Sequence, residues 1–276
     1  MTSRTELIQQ QKNWAESVGL NPDSRGYLDN IESNLVKPLS SRTTIAFNNG
    51  SGSELIDTVS RPAKMRALHS SSALAVNVFD SWVDKDTSTL QLALGIEDTI
   101  DSISFEEQFS TGLNGIPPNL DIALKLSTGH IIGIESKFSE WLTPKSKNKD
   151  TFKQKYFPED ERLWSNYGLT KTQEISEAIF NGSENFRYLD APQLLKHALG
   201  MATQLEGRFS LYYIYYDWPG GNETKVHKNE INLFTDVVGE ELRFKAISYQ
   251  ELFRALDESD RVNQNYIEYL RRRYFS

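Results

Sequence analysis

One triplet, Ser127-Thr128-Gly129, constrains the fold of this chain more than any other stretch, because it stands between two β-rich runs, PPNLDIALKL and HIIGIESKF. Gly129 suits the left-handed third position of a three-residue hairpin loop. Leu126 then pairs with His130. Opposed partners in an antiparallel ladder have residue numbers of constant sum, here 256, so Asp121 stands opposite Glu135.

Alternation sorts the side chains of the hairpin onto two faces. Leu120, Ile122, Leu124, Leu126, Ile132, Ile134 and Phe138 form an apolar face expected to meet the core. Asp121, Glu135 and Lys137 share the other, with Ala123 and Gly133 as small neighbours that leave space for a pocket. Directly opposed residues have Cβ atoms roughly 4.5–5.5 Å apart, where two like charges oppose pairing. Lys137 supplies one compensating charge, and a magnesium ion, suited to hard oxygen ligands, is the natural second. An amphipathic hairpin with a charged solvent face is the plainer alternative. Ala123, Gly133 and the stiff Pro117-Pro118 entry weigh against it.

Asp121, followed after thirteen residues by Glu135-Ser136-Lys137, resembles the D…(D/E)xK active site of the PD-(D/E)xK nuclease superfamily. The surrounding words SSSALAVN at 70–77, SFEEQF at 104–109, PPNLD at 117–121 and QLLKHAL at 193–199 are similar to those of a bacterial restriction-endonuclease-like family. The resemblance implies an α/β fold, a restriction-endonuclease-like αβββαβ core with a mixed central sheet and extra helices at both ends. It implies a metal-dependent endonuclease that hydrolyses DNA phosphodiester bonds in restriction-like defence, with Mg2+, or Mn2+ in its place, as cofactor. The metal ligands so implied are Asp121, Glu135, the carbonyl of Ser136 and an additional glutamate, Glu54. Lys137 is the catalytic cation, and Gln193 is the glutamine that related nucleases bring from the helix after the hairpin. A two-strand cut implies two sites, hence a homodimer. A non-catalytic module that binds nucleic acid or protein with the same fold is the competing reading.

Charge bears on that choice. The chain has 30 Lys and Arg against 38 Asp and Glu, a net charge of −8, which disfavours phosphate binding unless charge is segregated. Residues 145–155, KSKNKDTFKQK, segregate five lysines against one aspartate and read either as a phosphate-contacting arm or as a solvated loop. The chain contains no cysteine, which excludes disulfides and thiolate metal sites and fits a reducing cytoplasm. The amino-terminal residues have no apolar signal region, and no run approaches the ~18 apolar residues of a membrane span, so a cytoplasmic protein without membrane contact is expected.

One elaborated domain over residues 1–276 is expected, made of a helical extension at 1–45, a nuclease-like core at 50–220 and a C-terminal strand and helices at 221–276. Residues 4–36 read as one or two polar helices, and Glu54 as the first-turn glutamate of another if it is not a metal ligand. Residues 70–83 read as a helix capped by serine, and 102–109 as the first strand, in which Glu106 and Glu107 point to opposite sides so that at most one reaches the site. Trp141 and Trp164, within the polar stretch 139–189, either stack on bases or anchor the loop to the core.

Asp190-Ala191-Pro192-Gln193 has the form of a helix start. Its helix reads with a buried stripe and a separate polar line of Gln193, His197, Gly200 and Gln204, His197 being the pattern of a surface histidine. Residues 208–217 are an interior strand, and Phe244–Ile247 a short one. Arg271-Arg272-Arg273 either meet DNA or complement a helix dipole.

Overall fold

The hairpin closes in the register its loop dictates. In the computed structural model, which describes residues 2–50, 52–145 and 152–275, β2 (Asn119–Leu126) and β3 (Ile131–Lys137) pair Ile122 with Ile134, Ala123 with Gly133 and Leu124 with Ile132. Gly129 takes the left-handed conformation at φ +80°, and its N–H donates to the Leu126 carbonyl at 2.8 Å. Only glycine holds that conformation without steric cost, which is what fixes the loop length and so the register.

The hairpin lies in a mixed five-stranded sheet of order β1-β2-β3-β4-β5, with β1 spanning Ile100–Gln108, β4 Phe209–Tyr215 and β5 Lys245–Ser248. β1 and β2 are antiparallel to their hairpin neighbours, whereas β4 runs parallel to β3 and β5 parallel to β4. The helices are α1 Ser3–Ser17, α2 Ser41–Asn49, α3 Ser71–Phe79, α4 Ser88–Leu94, α5 Thr170–Asn181, α6 Ala191–Leu205, α7 Asn222–Leu242, α8 Tyr249–Asp257 and α9 Gln264–Leu270. This is the α/β class with the mixed sheet and terminal helices expected from the sequence. Among the described residues no helix is long and apolar enough to cross a membrane.

Each face of the sheet buries a separate apolar cluster. Ile122, Leu124, Ile132 and Ile134 join α3, α8 and α9, while Leu211, Tyr213 and Ala123 join α6 and α7. Leu120 departs from the simple alternation, since it packs into the second cluster rather than with Ile122. The helix α6 is held there by Leu194, Leu195 and Leu199, all essentially inaccessible, each contributing about 1.5–3 kcal/mol.

That helix explains two of the small residues. A Cβ on Gly133 would lie 2.8 Å from Met201 Sδ and 2.6 Å from Leu120 Cδ2, so Gly133 is the socket for α6 rather than the wall of an open pocket. Gly200 faces the backbone, where a Cβ would stand 2.3 Å from the Phe109 carbonyl oxygen. Alanine gains about 1 kcal/mol of helix propensity over glycine, yet overpacking against immobile backbone costs about 1–3 kcal/mol. Gly200→Ala is therefore expected to lower stability by up to about 2 kcal/mol in urea unfolding, and a gain in stability would contradict so close a contact between α6 and the residue that follows β1.

The chain ends meet through one buried cation. Arg273, 1% exposed, donates to the Asn34 carbonyl at 2.6 Å and to Asn34 Oδ1 at 2.5 Å, and its guanidinium lies 4.5 Å from the Trp14 ring centre. Gln11 Nε2 in turn donates to the Arg273 carbonyl at 3.0 Å. Of the three arginines, Arg273 is thus structural and Arg271 pairs with Asp257 and Glu268. In the amino-terminal region only α1 and a single turn at Glu32–Asn34 are helical within 4–36, and the chain between them runs through turns and bends.

Candidate active site

The site forms at the end of the hairpin where β2 and β3 diverge. The paired register stops at Ile122 and Ile134, one residue short of Asp121 and Glu135. In place of a ladder bond, Asp121 Oδ2 accepts from the Ser136 N–H at 2.7 Å. The side chain of Ser136 turns to the opposite face, where its hydroxyl meets Tyr249 Oη at 2.6 Å.

Glu135 is 1% exposed, and Lys137 Nζ donates to its Oε1. Lys137 Nζ also donates to Gln193 Oε1 at 3.1 Å. Asp190 makes this possible by capping α6 through the backbone N–H of Gln193, at 3.3 Å, which leaves the Gln193 side chain free. The cap and the contact with Lys137, alternatives in the sequence, coexist.

His197 follows one turn later and is buried, not a surface residue; its Nε2 lies 3.0 Å from Glu135 Oε2. The geometry is not aligned as a hydrogen bond, and Glu135 Oε2 has no other donor. The sequence line Gln193, His197, Gly200 thus marks the α6 face turned toward the sheet. A polar stripe looks like solvent exposure until the partner strand is known to carry charge.

Two further acids stand near. The pairs Phe105–Ile122 and Glu107–Leu120 bracket Glu106 against Asp121, and Glu106 sits at φ +53°, a conformation unusual for a residue other than glycine. Its carboxylate accepts from Asn119 Nδ2 and lies so close to Gly50 that a Cβ there would meet Oε2 at 2.9 Å. Glu54 is in the loop between α2 and α3 rather than in a first helical turn. Lys64 holds its Oε1 at 2.7 Å and Ser72 Oγ its Oε2 at 2.9 Å, and no hydrogen bond or ion pair links it to Asp121 or Glu135.

Burial sets the electrostatics. Desolvation raises the pKa of Glu135, but the Lys137 charge and then His197 outweigh it and hold the carboxyl at about 2. Asp121 goes the other way, raised well above the usual carboxylate range by burial and then by Glu135, with only partial relief from Lys137 and the Ser136 N–H. The asymmetry follows from the partners, since Lys137 contacts one carboxylate and not the other. Lys137 would be lowered by burial, yet Glu135 and Asp121 raise it overall, so it stays charged. Glu106 is pushed up to about 7 by burial, against the Asn119 amide, with Glu54 adding to the rise.

Asp121 and Glu135 suit a hard cation: one carboxylate is half-buried and the other fully buried, Lys137 bonds only the second, and Glu135 Oε2 is an acceptor without an aligned donor. Magnesium is held by one or two carboxylates together with water and substrate phosphate, so two suffice. Among the described residues no three His, Asp or Glu side chains are grouped as ligands of one ion, and Glu54 is committed elsewhere.

The aromatic residues of 139–189 anchor the loop. Trp141 stacks on His227 at 4.1 Å, and Trp164 is inaccessible with its Nε1 donating to the Leu195 carbonyl at 2.9 Å. Of the lysine-rich stretch, Lys145 binds Asp190 at 2.6 Å, Lys155 binds the Asn114 carbonyl, and Lys147 and Lys149 lie outside the described residues.

A protein-family model described as restriction endonuclease associating with ARP matches residues 5–275. No curated protein and no solved structure matches the chain.

Proposed function

We propose, since this chain belongs to the family of restriction endonucleases associating with ARP, that it hydrolyses DNA phosphodiester bonds with magnesium or manganese, as a restriction-like endonuclease. The observation that carries the reading is the convergence of Asp121, Glu135, Lys137 and Gln193 at the divergence of β2 and β3. The association with ARP named for the family is proposed for this chain too.

The chemistry that a divalent ion supplies, when held by Asp121, Glu135 and the Ser136 carbonyl, is polarisation of the phosphate and acidification of a water. The residues of the chain do the rest. Lys137, kept charged by Glu135 and Asp121, positions the attacking water and offsets charge that grows on the phosphate oxygens. Gln193 steers the Lys137 ammonium by accepting one of its three N–H bonds. Supercoiled plasmid incubated with the protein and magnesium should be nicked or linearised, and left intact when a chelator replaces the metal.

A second reading has its own support, since both oxygens of Glu135 face protein groups and the acids are not grouped as a three-ligand metal site. The chain would then bind nucleic acid or protein without cutting. Plasmid that is retarded in a gel yet never cut with magnesium or manganese would favour this reading.

Metal affinity has a readout independent of cleavage. Asp121→Asn removes the carboxylate that pays most for its neighbour, and the amide oxygen can still accept from Ser136. Without metal the variant is expected to melt at the wild-type temperature or slightly above it. Magnesium should stabilise the wild type by about 2.7 kcal/mol at a hundredfold excess over Kd, and the variant much less. An equal gain in both proteins would remove Asp121 from the metal site.

A further inference from the structure

Beside the candidate active site, three lysines gather around an aromatic platform. Lys196 Nζ lies 5.2 Å from the ring centre of Phe152 and 5.7 Å from that of Tyr156, and Lys155 Nζ lies 5.3 Å from the Tyr156 ring. Lys153, exposed, is the third cation of the group. The platform is anchored: Phe152 and Tyr156 are buried, both pack on Trp164 with ring centres 5.9 and 6.3 Å from it, and Trp164 is tied to α6 through the Leu195 carbonyl. Lys155 also donates to the Asn114 carbonyl, in the loop that joins β1 to β2.

The helix α6 links this group to the chemistry. Gln193 touches Lys137, and Lys196 stands three residues further along the same helix, a spacing that makes the two side chains surface neighbours. Positive charge is thus concentrated here in a chain whose net charge is −8. Burial lowers the Lys196 pKa, Asp190 offsets part of that, and Lys153 and Lys155 lower it further; Asp190 is itself bonded to Lys145 at 2.6 Å. Like charges brought together oppose the compact state, whereas a surface of one sign draws in a ligand of the other. A polyanion relieves the repulsion.

We propose that Lys153, Lys155 and Lys196 bind backbone phosphates of a DNA duplex beside the phosphate on which Asp121, Glu135 and Lys137 act. The assignment rests on the reading of this chain as a DNA endonuclease. Phosphate contacts position a duplex without reading its sequence, so the lysines supply affinity on any sequence.

The test is fluorescence anisotropy of the purified full chain with labelled duplexes of several sequences, in chelator and again in calcium, over a series of salt concentrations. Lys153→Gln with Lys155→Gln, neither of them buried, should weaken binding at least fivefold at low salt on every duplex. The slope of log K against log salt should become shallower by about 2, roughly one for each lysine, and Lys196→Gln added to the pair should take away about one more. Lys85→Gln with Lys125→Gln, both exposed and outside the candidate site, changes the net charge equally and should leave affinity and slope as in the wild type. An unchanged slope in the first double variant, or an equal loss in the second, would overturn the proposal; metal-dependent cleavage by the wild type would then leave the endonuclease reading standing. A wild type that binds no duplex in either condition overturns the proposal too, and if it also fails to cut with magnesium or manganese the endonuclease reading falls with it. The first double variant decides the matter even if the Lys196 variant does not fold.

Discussion

Lys137→Met is expected to lose at least a hundredfold in plasmid cleavage and, in the same protein, about 3–5 kcal/mol of stability. The two losses have one cause. Lys137 is the direct counter-ion of a carboxylate that is 1% exposed, so its removal leaves Glu135 uncompensated in the interior. Breaking a buried pair from one side is far more costly than replacing both members by neutral groups of similar shape. The double variant Glu135→Gln with Lys137→Met should therefore recover most of the stability and none of the activity. Urea unfolding and plasmid cleavage on the wild type and these two variants separate the roles. If the single variant is as stable as the wild type, Lys137 does not compensate Glu135. If it cuts normally, the proposed chemistry fails.

Glu106→Gln is expected to stabilise the protein by up to about 3 kcal/mol at pH 8 and to change little at pH 4. The sign follows from linkage. The folded pKa of about 7 exceeds the ordinary glutamate value of 4.5, so the folded state binds the proton more tightly than the unfolded state. Below 4.5 both states are protonated and the group is neutral in its effect; between 4.5 and 7 stability falls as pH rises, and above 7 the full penalty of an ionised, desolvated carboxylate is present. Glutamine keeps an acceptor for Asn119 and carries no charge. Denaturant midpoints for both proteins across this range check it. A difference that is constant with pH would mean that the folded and unfolded states bind the Glu106 proton equally, so that burial does not raise its pKa.

The strength of a local signal decided what was legible in the sequence. The register of β2 and β3 follows from one glycine and a loop of three residues, and the start of α6 from the Asp190 cap and Pro192, because neither depends on a distant partner. The hairpin periodicity likewise assigned most of the inward residues. What failed depends on how α6 lies on the sheet. Ala123 and Gly133 read as the walls of a pocket, but Gly133 accommodates Met201 and Ala123 belongs to the same apolar cluster, and His197 read as exposed because its counterpart, Glu135, is 62 residues earlier in the chain. Alternation allows at most one of Glu106 and Glu107 to reach the site without saying which, since it cannot foresee a residue other than glycine at φ +53° in mid-strand. Such strain is a reasonable mark of function, though only the fold reveals it. Glu54 drew attention through resemblance alone, and its oxygens are held by Lys64 and Ser72, both on elements whose approach no periodicity describes.

The Arg273–Asn34 contact spans 239 positions of sequence, which has a meaning during synthesis. At roughly 5–20 residues per second, Asn34 leaves the ribosome about 10–50 seconds before the arginine that will occupy its carbonyl has been made. Until then the first helix has neither the Arg273 carbonyl for Gln11 nor the guanidinium for Trp14, and the newborn chain carries an unfinished seam. Helix α1 emerges long before the residues that lock it. A chaperone that binds early-emerging segments would have its longest opportunity there, and a slow codon run late in the message would lengthen it.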